Sequence, residues 1–583
     1  MQKRFLFFAV TVVLALSSCV AEGRPEVGQL SIADIQGCAH RSPYEGEDVQ
    51  NIEGVVTHKF SNGFTIQALS QDSRDCSSEA IFVETGDYPQ VLVGQLVSID
   101  ATVVEYTPGN EEDHNLSLTE LHNPKITVME SGMSLPDPVV LGETGKSVPL
   151  NWVWHVEQFN AQENGLDYYE SLEFMLVEVQ DGVVVGPGNN YNEFFVLPIA
   201  IAGTNSMSQE GVLLESADDE NPEKIMVNAA ASFTREVNVG DRLLAPIVGI
   251  MDYAYGNYRI WTIKDPLIEA GENAIGVLKK ERGELAVATY NLENFSHFDD
   301  PARIRKIGCQ IAKNLNSPDV VVLNEIMDDS GTQDDGTVRA ERTLQTLVEA
   351  IAACGGGEYA YSDNPPADGA DGGIAGGNIR TAVIYRVETG LTLESPVGLQ
   401  EAVSDSGSQT PVRLFAGEAA FRGTRKPALW MFNWNGEQIF IVGVHLVSQT
   451  ANTPAWGDVQ PPERPEQAKR EQQMQLIMDF MEGFLSQNPD ASFLLLGDFN
   501  DYPWSSTLQI ALEDQLLVAP GNQSLGSDFT YLYDGNGFQF DYILASKPLA
   551  ARIKLVSFPH LNTLFDAETR LSDHDPVVVT IGK

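Results

Sequence analysis

The stretch Ser492-Phe493-Leu494-Leu495-Leu496-Gly497-Asp498-Phe499-Asn500-Asp501 sets four consecutive apolar residues against a glycine and a cluster of polar side chains. A short run that is apolar on both faces is the pattern of a strand covered on both sides, as in layered α/β folds. The polar end is then where the chain leaves the sheet, a place where side chains are held rigidly yet stay accessible. Five more stretches end the same way. They are Ala288-Thr289-Tyr290-Asn291-Leu292-Glu293-Asn294, Val322-Leu323-Asn324-Glu325-Ile326, Val442-Gly443-Val444-His445-Leu446, Phe540-Asp541-Tyr542-Ile543-Leu544 and Leu571-Ser572-Asp573-His574-Asp575-Pro576. Helical periodicity falls between them, over Arg303 to Leu315, Thr343 to Ala353 and Glu466 to Leu485. Strands alternating with helices predict an α/β domain in the C-terminal half.

In such a fold neighbouring strand ends converge on one rim. Pooling their polar residues gives Asn291, Glu325, His445, Asp498, Asn500, Asp541, Asp573 and His574. Hard oxygen donors favour Mg²⁺, with Mn²⁺ or Ca²⁺ as alternatives, whereas zinc usually recruits more His or Cys. Phosphoryl transfer asks for a cation at the non-bridging oxygens, a base for the attacking water and a group for the departing oxyanion. The pooled set supplies all three. Each cluster alone reads as a turn, a strand cap or a core histidine; the six together point to chemistry.

The motifs "TYNLEN", "LNE", "GVH", "GDFND", "FDYIL" and "SDHDP" resemble, in order and spacing, those of the endonuclease/exonuclease/phosphatase superfamily. That superfamily includes pancreatic-type deoxyribonuclease, abasic-site endonucleases, sphingomyelinases and inositol-polyphosphate phosphatases. The resemblance spans nearly all of residues 286–581 and implies a four-layer α/β/β/α sandwich over residues 284–583. It implies Glu325 as principal metal ligand, with Asn291 near the same ion and Asp573 completing or orienting the cluster. His574, with Asp541 or Asp498, would activate water, and His445 would bond the phosphoryl oxygen or assist the leaving group. Asp498 and Asn500 would hold a second metal or stabilise the pentacovalent state. Arg425 falls where family members carry a phosphate-binding arginine, and Arg380 resembles a substrate-side residue of extracellular nucleases; a surface ion pair is the competing reading for each.

Ahead of this domain the pattern is all β. Short alternating stretches between Gly, Asn and Asp, such as Gly63-Phe64-Thr65-Ile66-Gln67 and Ala80-Ile81-Phe82-Val83, fit a five-stranded barrel over residues 28–132. Similar stretches, with a "VG(Q/D)" turn before a strand in both, predict a second barrel over residues 145–272. Two OB-like barrels in tandem resemble the N-terminal part of large extracellular nucleases of marine bacteria. Such barrels bind single strands or serve as spacers. Trp152, Trp154, Phe159, Tyr168, Tyr169, Tyr253, Tyr255, Tyr258 and Trp261 offer stacking faces there, or core. Residues 263–284 read as a linker or helical bridge.

The first nineteen residues have the form of an export signal: Lys3 and Arg4, an apolar run from Phe5 to Leu16, then Leu16-Ser17-Ser18-Cys19. The last four resemble a bacterial lipobox, which makes Cys19 a lipidation candidate and places the protein in the cell envelope, anchored to the outer membrane, with plain secretion as the alternative. Cys38, Cys76, Cys309 and Cys354 are left for an oxidising compartment; their clustering suggests Cys38–Cys76 and Cys309–Cys354, with other pairings and free thiols open. The 36 basic and 82 acidic residues give a net charge of −46. That balance counts against a tight nucleic-acid binder. The expected function is an exported, metal-dependent phosphodiesterase acting on DNA, joined to the membrane only by its anchor and with no protein partner predicted. The alternatives are a phospholipid or small phosphate-ester hydrolase and a catalytically degenerate binding protein.

Overall fold

The computed structural model describes residues 30–70, 74–142, 145–199, 206–273, 275–395, 411–520 and 525–583. Cys19 and the export signal lie outside these residues. Among the described residues no helix is long and apolar enough to cross a membrane.

The C-terminal domain is built on two facing sheets. The first runs Tyr359–Ser362, Arg380–Arg386, Val320–Ile326, Leu285–Phe295, Val577–Ile581, Ile553–Ser557; the second runs Leu391–Glu394, Ala428–Trp434, Glu437–His445, Ser492–Asp498, Asp541–Ser546, Leu517–Val518. Strands buried on both faces explain the uninterrupted apolar runs in the sequence. Val322, Trp430, Ile441, Leu494, Leu496 and Val579 meet between the sheets. Leu344, Leu347 and Ile351 of helix Glu341–Ala353 cover the outer face of the first sheet. Met474, Ile477 and Met481 of helix Gln467–Gln487 cover the second. The result is the expected α/β/β/α sandwich.

Residues 48–131 close a five-stranded barrel in the order Asp48–Lys59, Gly63–Gln67, Ala80–Glu84, Leu118–Ser131, Gln95–Tyr106. A disulfide between Cys38 and Cys76 staples the segment after helix Ile32–Gln36 to it, and Cys309–Cys354 joins the ends of two outer helices of the sandwich. The middle module departs from the expected second barrel. Its described residues form a nine-stranded sheet, from Ile268–Glu269 at one edge to Val139–Val140 at the other. Alternation reports which face of a strand is buried; it carries no information on ring closure. Among the described residues of 263–284 there is no helix, and Leu278 packs into the core of the sandwich.

The three units share cores. Phe82 and Leu116 of the barrel, Tyr169 and Tyr258 of the middle module, and Trp456 from a loop of the sandwich occupy one apolar cluster. The Tyr253 hydroxyl donates to the Trp456 carbonyl at 2.9 Å. Leu213–Leu214 of the middle module pairs in parallel with Asn536–Phe538 of the sandwich, making a small sheet common to both.

Candidate active site

Register brings the polar strand ends together. His445 is the parallel partner of Asp498, and Asp498 is the antiparallel partner of Asp541, so three of the predicted residues stand in one row. Gly497 is required just before this row: its φ is 141°, and a Cβ there would meet the Val444 carbonyl oxygen at 2.0 Å. Across the sandwich, pairing of Leu285–Phe295 with Val320–Ile326 slips between Asn291 and Phe295, and pairing of Val320–Ile326 with Arg380–Arg386 slips between Leu323 and Ile326. The irregularity leaves Glu325 at φ 59°. A bulge with a non-glycine residue in the left-handed region re-aims a side chain out of the pleat, at a cost the surrounding packing must sustain.

Glu325 is turned to the row. Asn291 Nδ2 donates to Glu325 Oε1 and to Asp498 Oδ2, each at 3.2 Å, and the Asn294 amide donates to Glu325 Oε2 at 3.0 Å. His445 Nε2 lies 3.5 Å from Asp498 Oδ2 and 3.9 Å from Glu325 Oε1. The Asn500 amide, at φ 51°, donates to Asp498 Oδ1 at 2.8 Å. His574 Nδ1 is 2.7 Å from Asp541 Oδ2, and its Nε2 is 3.9 Å from Asp498 Oδ2. Asp573 lines the same cleft.

Burial and charge set the protonation states. Burial raises the Asp498 carboxyl above the usual carboxylate range, with repulsion from Asp541 and Glu325 adding to it and His574 opposing. Burial disfavours the charged form of His574, but Asp541, Asp498 and Asp573 outweigh it and hold the imidazole protonated well above its ordinary value. His445 moves the other way: burial first, then Arg425 and His574, keep it neutral. Two histidines with opposite charge states at one site can divide acid and acceptor roles between them.

Arg425 joins the group. Its Nη2 donates to the Leu446 carbonyl at 2.7 Å, and its Nε is buried without a hydrogen-bond partner, on the wall of the cleft that holds Glu325 and His445. Arg380 does not join. It is buried with each of its three guanidinium nitrogens donating, to the carbonyls of Asn378 and Val338 and the carboxylate of Asp363, so it braces the loops around residues 338 and 363. An arginine next to a strand gives no sequence signal of which way its fork is spent.

Three contributors carry no assignment from sequence. Asn294 sits inside a quoted motif, yet its role is played by the backbone amide. Asp575 is fully buried and accepts from the Leu561 and Asn562 amides, which fixes the turn holding His574. Tyr531 bridges to His574 with ring centroids 4.8 Å apart, and nothing in its neighbourhood announces it.

The donor set fits a divalent cation. Glu325, Asp498 and Asp573 line the cleft, where Arg425, Lys224, Arg464 and protonated His574 are the cations, and Asp541, bonded to His574, keeps its Oδ1 buried without a partner. Carboxylate oxygens of Asp498 and Asp541 lie within 4.8 Å of each other. Oxygen donors in this number suit a hard cation.

Residues 288–574 match the model of the Endonuclease/Exonuclease/phosphatase family. The match runs through nearly the whole of the sandwich. Members hydrolyse phosphoester bonds and generally use a divalent metal. Residues 140–271 match a second model, described as a domain of unknown function. A search of curated proteins finds no match. Similar solved structures include truncated TDP2 of Caenorhabditis elegans, at 17% identity over 52% of this chain and 98% of that one, with a TM-score of 0.32. They also include a family protein of Leptotrichia buccalis, at 16% identity over 51% and 100% with a TM-score of 0.33. A mannosyl-6-phosphatase of Bacteroides thetaiotaomicron matches at 15% identity over 51% and 99%, with a TM-score of 0.31.

Proposed function

We propose that this protein is a metal-dependent phosphodiesterase that degrades nucleic acid, DNA first, outside the cytoplasm. The observation that carries the reading is the convergence of Glu325, Asp498, His445, the Asp541–His574 pair and Arg425 on one cleft. Glu325 and Asn291 would hold the cation, with Asp573 completing or orienting the set, and the ion would supply charge neutralisation at the phosphoryl oxygens and would acidify a water. Arg425 presents an unspent Nε–H to a phosphoryl oxygen. Neutral His445 bonds the same group without adding charge. Asp498, with its carboxyl raised by burial, accepts the proton of the attacking water, and protonated His574, oriented by Asp541, stabilises the charge that builds in the transition state.

The test is hydrolysis of linear single-stranded DNA and of bis-p-nitrophenyl phosphate with EDTA, then with Mg²⁺, Mn²⁺ or Ca²⁺ restored. Activity should vanish with EDTA and return with metal, and Glu325→Gln should lower kcat by about 10²–10³-fold. Full activity in EDTA overturns the metal role; hydrolysis of sphingomyelin or inositol phosphates with none of DNA replaces the substrate. Export and anchoring through Cys19 belong to the same proposal and rest on residues 1–19 alone. Radiolabelled palmitate should enter the protein in bacterial cells and fail to enter Cys19→Ala; equal labelling of both rejects the anchor.

A further inference from the structure

The cavity above the phosphate site, about 670 Å³, is only partly built by the sandwich. Glu215, Glu220, Lys224, Tyr255 and Asn257 of the middle module form one wall, which adjoins the hairpin that carries Tyr531 and Tyr533. That wall is fixed. Asn536 Nδ2 donates to Glu215 Oε2 at 2.6 Å, Asn221 Nδ2 donates to Asn536 Oδ1 at 3.0 Å, and the tip of the hairpin at Gly535 lies so close to Phe195 that a Cβ there would meet its ring at 2.7 Å.

Most aromatics of the middle module are core: Tyr168, Tyr169, Tyr253 and Tyr258 are buried. Tyr255 is 80% exposed and Tyr533 is 59% exposed, and both line the cavity. Asn257, two residues after Tyr255, donates to Asp534, the neighbour of Tyr533, at 3.2 Å, so the two turns are tied together and bring both rings to one rim. Tyr255 holds φ 51°, uncommon for a bulky residue, and the Arg259 guanidinium lies 5.9 Å from its ring centroid. An exposed aromatic held in an unfavourable backbone conformation and backed by a cation is a face kept available for a ligand.

The wall carries three carboxylates, Glu215, Glu220 and Asp534, beside two cations, Lys224 and Arg464, and burial pushes Glu215 up to about 7. Tied to the hairpin through Asn257 and Asn536, it closes one side of the cavity. The cavity has the volume of a site for one small ligand.

We propose that Tyr255 and Tyr533 form a ring-stacking subsite that receives the nucleoside attached to the scissile phosphate, and that the middle-module wall confines hydrolysis to chain ends and short chains. This rests on the phosphodiesterase reading above. The experiment compares thymidine 5′-p-nitrophenyl phosphate with methyl p-nitrophenyl phosphate, which share a leaving group and differ in the nucleoside. The ratio of their kcat/KM values should fall about tenfold in Tyr255→Ala and Tyr533→Ala, the size of one base–aromatic stack, and return in the Phe variants, which keep the ring. Closed circular plasmid should be cut at least about tenfold more slowly per phosphate than a short single strand. An unchanged ratio in both Ala variants, or equal rates on plasmid and short strand, overturns the subsite. Failure of the wild-type chain to hydrolyse either ester with any divalent metal overturns the underlying reading instead.

Discussion

Asp541 holds the Nδ1 side of His574 at 2.7 Å and leaves its own Oδ1 buried without a partner. Asp541→Asn keeps the size of the side chain and removes the charge that keeps the imidazole oriented and protonated. It should lower kcat about 10²–10³-fold with little change in KM for bis-p-nitrophenyl phosphate, measured by steady-state kinetics; a loss confined to KM would place Asp541 in substrate binding. Residues of this kind are legible in a sequence because each cluster abuts an apolar strand, and a strand end has few places to point. Arg380 and Tyr531 were beyond that logic. The destination of a long side chain, or of a ring on a hairpin, is set by parts of the chain dozens of residues away.

Between the barrel and the middle module, His40 in the segment after helix Ile32–Gln36 meets Asp167 of helix Gly165–Glu170 at 2.7 Å and Glu170 at 3.4 Å. Burial lowers the His40 pKa, but the two carboxylates outweigh it and raise it from 6.5 to about 10. A raised folded-state value means that the pair stabilises the fold fully below pH 6.5 and loses its contribution as pH climbs to about 10. His40→Ala should therefore lower Tm at pH 6 and leave it nearly unchanged at pH 10, read by thermal unfolding at both; the same drop at both values would show a role independent of charge. The elements of the sandwich were readable from periodicity, because each helix and strand declares its buried face. Contacts between units were not. Trp456 sits in a polar loop of the sequence, yet only 5% of it is exposed in the core that the barrel and middle module share.

For the molecule as a whole the net charge of −46 sets how a polyanion arrives. At about 0.01 M salt the screening length is about 30 Å, and at physiological ionic strength about 8 Å. On single-stranded DNA, kcat/KM should therefore rise several-fold over that range, while methyl p-nitrophenyl phosphate changes little; a fall on DNA would reveal a basic track that outweighs the surface. The acidic balance was plain in the composition, but its bearing on the cleft needed the placement of Glu215, Glu220 and Asp534 beside Lys224 and Arg464.

The strand pairing between Leu213–Leu214 and Asn536–Phe538 has a consequence for how such a catalyst is inherited. The boundaries of the family match, 288 and 574, enclose every residue assigned to the chemistry but are not the seams along which the molecule comes apart. Cut there, the hairpin would present an unpaired edge, and the indole of Trp456 would stand in water, both invitations to aggregate. A duplication or fusion that moved the sandwich without its middle module would transmit the reactive groups and lose one wall of the cavity above them.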